Sequence, residues 1–442
     1  MSTVLGIALP PQWSATRLKH VTAALNRGSA PNYADAGPVR AVSQASNQPG
    51  GINWERTRFH DFHGIPSTLK GHLHPDDLLI NSTGTGTLGR VGYFTGSPDG
   101  LPCMADSHVT LARTRREQLN PRYAYYWLTS KPFQEYVYSA LVVGATNQIE
   151  LNRDRLADAP VPLPQLSEQL RIAEFLDIET ARIDHYVSLY TKLQCKLREK
   201  HQSITESLLL HGNETESVRP SSGGAPFPSS FHIGRLKHAA TRIDVGIAEA
   251  ATHAYATTGS PLIRSMNIRP NRLELDDLLY IEPWFAERNK SKYVRAGDIL
   301  TVRTGNAGIS AVVPQKMDRS QTFTQLITTP KEGFSAEYFC QFLNSRVGRE
   351  YFKLVSWGSA QPNISVPLLA NTPVPIPQVH IQEAIASRIN QNQATFDDLD
   401  TKISTACELA AERRQTLITA AVTGQFDVSA ASGRNVTEGV SA

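Results

Sequence analysis

The chain has 442 residues, of which 40% are hydrophobic, and a formal net charge of +3. This length and composition predict a globular protein with more than one core. No apolar run reaches the ~18 residues that a bilayer span needs, and Pro10 and Pro11 interrupt the stretch where a signal peptide would be apolar. We therefore expect a cytoplasmic protein.

The sequence contains two copies of one pattern. Residues 156–165 read LADAPVPLPQ and residues 369–378 read LANTPVPIPQ, and this offset of 213 continues without a gap through a long helical segment. The duplication extends upstream, where Asp77 to Ile80 return as Asp298 to Thr301. A period of this size far exceeds the ~20–50 residues of solenoid repeats, so we predict a duplicated domain.

The duplication divides the chain into six predicted segments of an α+β protein. Two similar globular α/β domains alternate with two long helices, and a linker rich in Ser, Gly and Pro joins the halves. The segments are an N-terminal domain at 1–155, a first spacer helix at 156–212, a flexible linker at 213–232, a C-terminal domain at 233–368, a second spacer helix at 369–428 and a disordered tail at 429–442.

Both spacer helices carry apolar residues seven apart, which is typical of a coiled-coil seam. The alternative is a helix that lies on its own domain, but polar residues on both sides of the narrow seam argue against it. A parallel pairing would force the linker back along a helix of ~65 Å, so we predict an antiparallel coiled coil and a pseudo-twofold molecule. The predicted seam residues are Leu176, Ile183, Tyr190, Leu197 and Ile204 in the first helix and Ile389, Phe396, Ile403, Ala410 and Leu417 in the second.

The charge is divided unevenly between domains and helices. The net charge is +4 for residues 1–155 and +5 for 233–368, against −2 for 156–212 and −3 for 369–428. Basic domains suit the approach of DNA phosphates, because Lys and Arg release the counterions of DNA. A solvated surface without a ligand is the alternative interpretation of differences of this size.

One glycine motif has two interpretations. Gly84, Gly86 and Gly89 fit the GxGxxG pattern of a dinucleotide site, which requires that a helix begin there. The residues from Arg90 to Phe94 read as a strand, so we predict a hairpin turn instead. The sequence has neither a GxxxxGK[ST] loop nor a GxSxG elbow, and we predict no catalytic residues.

Histidine and cysteine spacing gives no metal site. The pairs His60 with His63 and His72 with His74 lack further ligands at usable spacing. The cysteines are too scattered for a zinc site or a disulfide framework, and we expect them to be packing residues. They are Cys103, Cys195, Cys340 and Cys407.

Two polar stretches in each domain are candidates for DNA contact. Arg or Lys binds guanine and Asn or Gln binds adenine, while Ser and Thr bind phosphates. The duplicated positions of these stretches also fit a turn that both domains share. Gln148 and Gln361, which lie close to Asn147 and Asn363, could instead cap the following helix. The predicted DNA-binding residues are Ser82, Thr83, Thr85, Arg90 and Gln148 in the first domain and Arg303, Thr304, Asn306 and Gln361 in the second.

The order domain, helix, domain, helix resembles the specificity subunit of type I restriction-modification systems. The proline-rich starts of the helices carry the resemblance, APVPLPQLSEQLRIAEFLD at 159–177 and TPVPIPQVHIQEAIASRIN at 372–390. In the second copy Ile381 stands where the first has Glu168, while Gln169 and Gln382 stay aligned. The resemblance covers nearly the whole chain.

This resemblance implies a subunit of host defence without catalysis of its own. Each domain would be a target recognition domain for one half of a split, asymmetric sequence in double-stranded DNA, and the coiled coil would set the gap between the halves. Two modification subunits would carry the S-adenosylmethionine site, and restriction subunits would use ATP and Mg. The alternative function is a protein–protein interaction adaptor with no role in DNA binding.

Overall fold

The computed structural model describes residues 2–84, 86–144, 149–212, 231–249, 252–355 and 363–428, together with the backbone of 218–220 and 226–228. The predicted tail at 429–442 and most of the predicted linker lie outside these residues. Within the linker, the backbone of Val218–Pro220 pairs antiparallel with Pro226–Pro228. The chain forms two compact units, 1–191 with 404–442 and 192–403, so that each spacer helix contributes to both units.

Each unit contains an antiparallel main sheet of four strands with the same strand order. The strand that follows Asp77 or Asp298 is an inner strand of its sheet. Its residues, Leu78 to Ile80 and Ile299 to Thr301, are fully buried. Burial on both faces explains why these residues are all apolar except Thr301. The strands in spatial order are Val91–Tyr93, Leu78–Asn81, Val109–Thr114 and Thr22–Arg27 in the first unit, and Ser310–Val312, Ile299–Thr301, Leu326–Pro330 and Ala240–Val245 in the second.

A smaller sheet of four strands accompanies the main sheet in each unit, again with one order. Its first two strands are parallel and the remaining pairs are antiparallel. The strands in spatial order are Cys103–Ala105, Val39–Val42, Arg58–His60 and Tyr33–Ala34 in the first unit, and Gln321–Thr322, Ser260–Ile263, Leu279–Ile281 and Tyr255–Ala256 in the second. The prediction of two similar α/β domains is therefore confirmed.

Short helices and strand pairs complete each domain. The helices are Pro121–Thr129, Lys131–Tyr136 and Arg153–Ala157 in the first unit and Pro283–Arg288, Ala336–Asn344, Arg346–Val355 and Val366–Ala370 in the second. The paired strands are Thr3–Val4 with Ile7–Ala8, Asn47–Gln48 with Gly51–Ile52, Val142–Val143 with Glu150–Leu151, and Ile268–Arg269 with Arg272–Leu273. Asn120 and Ser335 cap the helices that begin at residues 121 and 336, because their side chains accept hydrogen bonds from backbone N–H groups that have no partner within the helix.

The duplicated proline-rich segments are strands that precede the spacer helices. Pro160–Leu163 pairs with Ser14–Arg17, and Pro373–Ile376 pairs with His232–Arg235. Each of these sheets has only two strands, so a proline without an N–H group can stand on an outer edge. The pairing ties the start of each spacer helix to the beginning of its own domain.

The spacer helices extend over Leu166–His211 and Val379–Val422 and run antiparallel within each unit. In the first unit, Ile172 and Leu176 share a core with Leu417 and Val422, and the Asp184 carboxylate lies 3.0 Å from Arg414 Nε. In the second unit, Gln194 Nε2 donates to Asp400 Oδ1, and Leu209 shares a core with Ile389. Early residues of one helix thus meet late residues of the other, which confirms the predicted direction.

The ten predicted seam residues differ in burial. Leu176, Ile183, Ile389, Ile403 and Leu417 are buried, and Leu197, Phe396 and Ala410 are half-buried. Tyr190 and Ile204 are each 37% exposed, so their burial does not support the predicted seam positions. Near Ile204, the His201 ring stacks on the Phe396 ring with 4.6 Å between the centroids. A count of apolar residues alone cannot detect such a polar neighbour.

His201 makes the stability of the second unit dependent on pH. Burial lowers the pKa of its imidazole, although Asp397 acts in the opposite direction. Between that lowered pKa and the ordinary value of 6.5, the unfolded chain binds the proton and the folded chain does not, so stability falls as pH falls. We expect the thermal unfolding temperature to be lower at about pH 5.5 than at about pH 7.5. The difference between the two temperatures should be smaller in His201→Leu. An equal shift in both proteins would contradict this.

Candidate nucleic-acid interface

A polar cluster lies at one end of the main sheet in the first unit, where the predicted residue Thr83 follows the central strand. The Thr83 hydroxyl contacts Gln44 Oε1 at 3.0 Å and His108 Nδ1 at 2.8 Å. His108 is exposed and the other two side chains are half-buried. We call Gln44, Thr83 and His108 the Thr83 cluster. Its hydroxyl, amide and imidazole groups can exchange hydrogen bonds with phosphates or base edges.

The other predicted residues of the first unit differ in exposure. Ser82 is fully buried, and its hydroxyl lies 2.6 Å from the Thr110 hydroxyl, so the structure argues against its prediction as a DNA contact. Arg90 is half-buried and donates to the Asn47 carbonyl oxygen at 3.2 Å and to Gln48 Oε1 at 3.1 Å. Arg90 therefore holds the neighbouring loop. The predictions for Thr85 and Gln148, and Asn147 beside it, fall outside the described residues.

The second unit places Arg303 and Thr304 at the same end of its main sheet. Arg303 Nε donates to Asn363 Oδ1 at 3.1 Å, and the Arg303 backbone N–H donates to Gln325 Oε1 at 3.2 Å. Thr304 and Asn363 form an isolated antiparallel bridge. We call Arg303, Thr304, Gln325 and Asn363 the Arg303 cluster. Asn306 is exposed on the same loop, and Gln361 lies outside the described residues.

Both clusters depend on a turn that enters the third strand of the sheet. In the first unit, Asp106 Oδ1 accepts the His108 backbone N–H at 2.8 Å and Asp106 Oδ2 accepts the Tyr33 hydroxyl at 3.3 Å. Burial raises the pKa of the Asp106 carboxyl and of the Tyr33 phenol. In the second unit the sheet register aligns Gln325 with Val109, one residue after His108, because Ile80 pairs with Thr110 and Thr301 pairs with Leu326. Both turns reach the hairpin loop in different ways: the exposed His108 ring contacts the Thr83 hydroxyl, and the buried Gln325 amide accepts the Arg303 N–H.

Glycine is required where this turn passes the end of the edge strand, Thr22–Arg27 in the first unit and Ala240–Val245 in the second. A side chain at Gly28 would overlap the carbonyl oxygens of residues 105–106, and one at Gly246 would overlap those of 322–323. These backbone atoms cannot move aside as a flexible side chain could. The same close approach in both units fixes the turn that carries His108 or Gln325.

The predicted hairpin is confirmed in the first unit. Leu78–Asn81 pairs antiparallel with Val91–Tyr93, and no helix begins at the described residues of the loop, 82–84 and 86–90. Gly84, Gly86 and Gly89 each have a positive φ, between 76° and 100°, which a turn requires and other residues rarely adopt. The GxGxxG pattern therefore reflects backbone conformation and not a nucleotide site.

The duplicated aspartates stabilise the opposite end of the same strand. Asp77 is 1% exposed and its two oxygens accept hydrogen bonds from Arg113 at 2.8 and 2.7 Å. Asp298 is also 1% exposed, but its arginine partner, Arg242, comes from the strand Ala240–Val245 at the edge of the sheet. A buried carboxylate needs such a partner. These residues hold the sheet and lie away from the clusters.

The predicted histidine pairs are engaged with their neighbours. His60 Nδ1 accepts the Asn32 backbone N–H at 2.9 Å, His63 lies 3.2 Å from Asp61, and His72 and His74 approach each other at 3.2 Å. In the part of the chain that the structure describes, no three His, Cys, Asp or Glu side chains converge on a possible metal position.

The expectation that all four cysteines pack in cores is wrong for the helices. Cys103 and Cys340 are buried, but Cys195 is exposed and Cys407 is half-buried. The cause is their place on spacer helices, which expose most of their surface. None of the described helices combines the length and the apolar character that a bilayer span requires.

The sequence did not reveal several members of the clusters. Gln44, His108 and Gln325 carry no motif, and only folding brings them to loops far away in the chain. One available signal is the duplication itself, because each copy has a polar residue, His108 or Gln325, directly before the same strand of its main sheet. Tyr33 and Tyr255 share a duplicated edge strand in the same way, and they are 39% and 43% exposed.

Comparison with known proteins gives the family. The family of the type I restriction modification DNA specificity domain matches this chain twice, over residues 46–185 and 256–408. The chain belongs to this family. The two matches correspond to the two halves of the duplication and include both hairpin loops, so each copy is a specificity domain in its own right.

Individual relatives of the specificity family are distant in sequence. The type I restriction enzyme EcoBI specificity subunit of Escherichia coli is 21% identical over 369 residues, which cover 80% of this chain and 74% of that protein. The EcoKI specificity subunit of Escherichia coli K12 is 22% identical over 273 residues, covering 60% of this chain and 57% of that protein.

Solved structures share the fold of the specificity family. A chain from a study of complex assembly and conformational transition in the type I R-M system aligns with a TM-score of 0.74 at 17% identity, covering 95% of this chain and 100% of that chain. The HsdS subunit from Thermoanaerobacter tengcongensis aligns with a TM-score of 0.55 at 16% identity, covering 95% and 98%. At such low identities, the TM-scores and the coverage support a shared fold.

Proposed function

We propose that this chain is the DNA-reading subunit of a type I restriction-modification complex and that each unit binds one half of a bipartite, asymmetric DNA site. The observation that carries the proposal is the pair of specificity-domain matches, which contain Thr83 and His108 in the first unit and the whole Arg303 cluster in the second. The Thr83 cluster and the Arg303 cluster occupy equivalent ends of equivalent sheets with different side chains. Two such surfaces would bind two different base sequences.

The chain itself would be non-catalytic and would act in the cytoplasm, where cellular DNA is accessible. The Thr83 hydroxyl contacts the His108 imidazole, but among the described residues no hydrogen bond to a third group orients that ring, as hydrolysis by a side chain requires. Methylation and cleavage would belong to two modification subunits and to restriction subunits, which would carry S-adenosylmethionine, ATP and Mg. The spacer helices, with their largely exposed polar faces, offer docking surfaces for these partners. The gap between half-sites would follow the length of the helices.

DNA binding should depend steeply on salt. We expect the full chain, co-purified with its modification subunit, to bind one duplex sequence and to lose about tenfold or more in affinity between about 50 and 200 mM salt, because bound Lys and Arg release counterions. Filter binding at the two salt concentrations measures this loss. A chain that binds no duplex at either concentration would favour the adaptor function, which the family membership does not support.

A further inference from the structure

We propose that Arg303 recognises a guanine in the half-site of the second unit and that Asn363 is the residue that positions it. This inference rests on the proposed function and adds the identity of one base. It begins from the asymmetry of the duplication. The aspartate offset aligns Arg303 with Ser82, whose side chain is fully buried, so the second unit has a guanidinium where the first has none.

The Arg303 backbone is held on both sides of the residue. Its N–H donates to Gln325 Oε1 at 3.2 Å, and its carbonyl oxygen accepts the Ile364 N–H at 3.0 Å. The preceding residue, Val302, is 1% exposed and packs in a core cluster of the second unit. The Cα of Arg303 therefore has a fixed position at the end of a buried strand, which reduces the entropy lost when its side chain binds a ligand.

The side chain is oriented by one hydrogen bond. Arg303 Nε donates to Asn363 Oδ1 at 3.1 Å, and the bridge between Thr304 and Asn363 holds the two segments together. Among the described residues, the structure gives no partner to Nη1 or Nη2. With Nε engaged, the edge that carries Nη1 and Nη2 is the one that can present two parallel donors.

Two parallel donors on one planar group match one base. Guanine presents O6 and N7 as adjacent acceptors in the major groove, and a bidentate arginine is its commonest specific contact. Adenine presents N7 beside an amino donor, so it cannot accept both hydrogen bonds. Lysine carries a point charge and lacks the planar fork, so it should bind phosphate well and discriminate bases poorly.

Selection from a randomised duplex library tests the inference. The full chain in complex with its modification subunit is compared with Arg303→Ala, Arg303→Lys and Asn363→Ala. Arg295→Ala is the matched control, because this exposed arginine lies in the same unit at the opposite end of the same strand. Circular dichroism and thermal unfolding of each variant check that the fold is kept.

We expect the wild-type motif to contain a guanine whose preference falls about 10- to 100-fold in Arg303→Ala and substantially in Arg303→Lys. Asn363→Ala should weaken the same preference with a smaller loss of total affinity, and Arg295→Ala should leave the motif unchanged. If Arg303→Ala lowers affinity equally for all sequences, or changes preference at a base other than guanine, the inference is wrong. An unchanged motif in both Arg303 variants also contradicts it, and a wild-type complex that selects no motif contradicts the proposed function itself.

Discussion

Replacing Arg113 with alanine should lower the free energy of unfolding of the first unit by about 3–5 kcal/mol. Asp77 is 1% exposed, and Arg113 donates to both of its oxygens, at 2.8 and 2.7 Å. Without that partner the carboxylate stays buried and uncompensated. Hydrogen exchange of peptides that cover Leu78–Asn81, the central strand, measures the loss within this unit.

Arg116→Ala is the matched control for this change. Arg116 also pairs with an aspartate, Asp76, but the two side chains are 65% and 34% exposed. Water screens such a pair, so we expect its removal to cost less than about 1 kcal/mol. Equal losses for the two arginine variants would show that burial of Asp77 does not decide the energy of its ion pair.

Replacing Gln169 with leucine should cost about 2–5 kcal/mol in the first unit, because one buried and two partly buried backbone groups lose their partner at up to roughly 1–3 kcal/mol each, partly offset by the apolar side chain. The Gln169 amide accepts the Asn120 N–H at 2.8 Å and donates to the carbonyl oxygens of Gln118 at 3.0 Å and Pro164 at 2.9 Å. These bonds tie the start of the first spacer helix to its domain. Hydrogen exchange near residue 169 reports the loss.

Gln382→Leu gives the comparison within the same chain. Gln382 accepts the Ser335 N–H at 2.9 Å and donates to the Pro377 carbonyl oxygen at 2.7 Å, so it makes two of the three equivalent bonds. We expect a smaller loss, about 2–4 kcal/mol, in the second unit. If Gln382→Leu costs more than Gln169→Leu, hydrogen bonds are not the main contribution of these glutamines.

The sequence predicted the features that repeat or have a period. The offset between the copies aligned Gln169 with Gln382 before any contact was known, and the spacing of seven found Leu176 and Leu417 in the seam. The same spacing selected Tyr190, which is 37% exposed, because a residue at the right interval is buried only where a neighbouring side chain covers it. A seven-residue spacing shows where apolar residues recur along a helix. It does not show which side chains of other elements pack against them.

The clusters were less predictable because their members meet only after folding. Thr83 was found from its place after a strand, but its partner Gln44 lies 39 residues away. Ser82 followed the same strand and is buried, since alternate residues of a strand point to opposite faces. The direction of each side chain depended on the sheet register, which the sequence did not specify.

Gly28 and Gly246 also bear on how the two copies diverged after duplication. A side chain at either position collides with backbone, so substitution there damages the support of the whole loop surface. Loop positions other than the glycines with a positive φ meet no such backbone barrier, and one copy now has a buried serine where the other has an arginine. Selection could therefore change the target of one copy while its framework, and the target of the other copy, stayed intact.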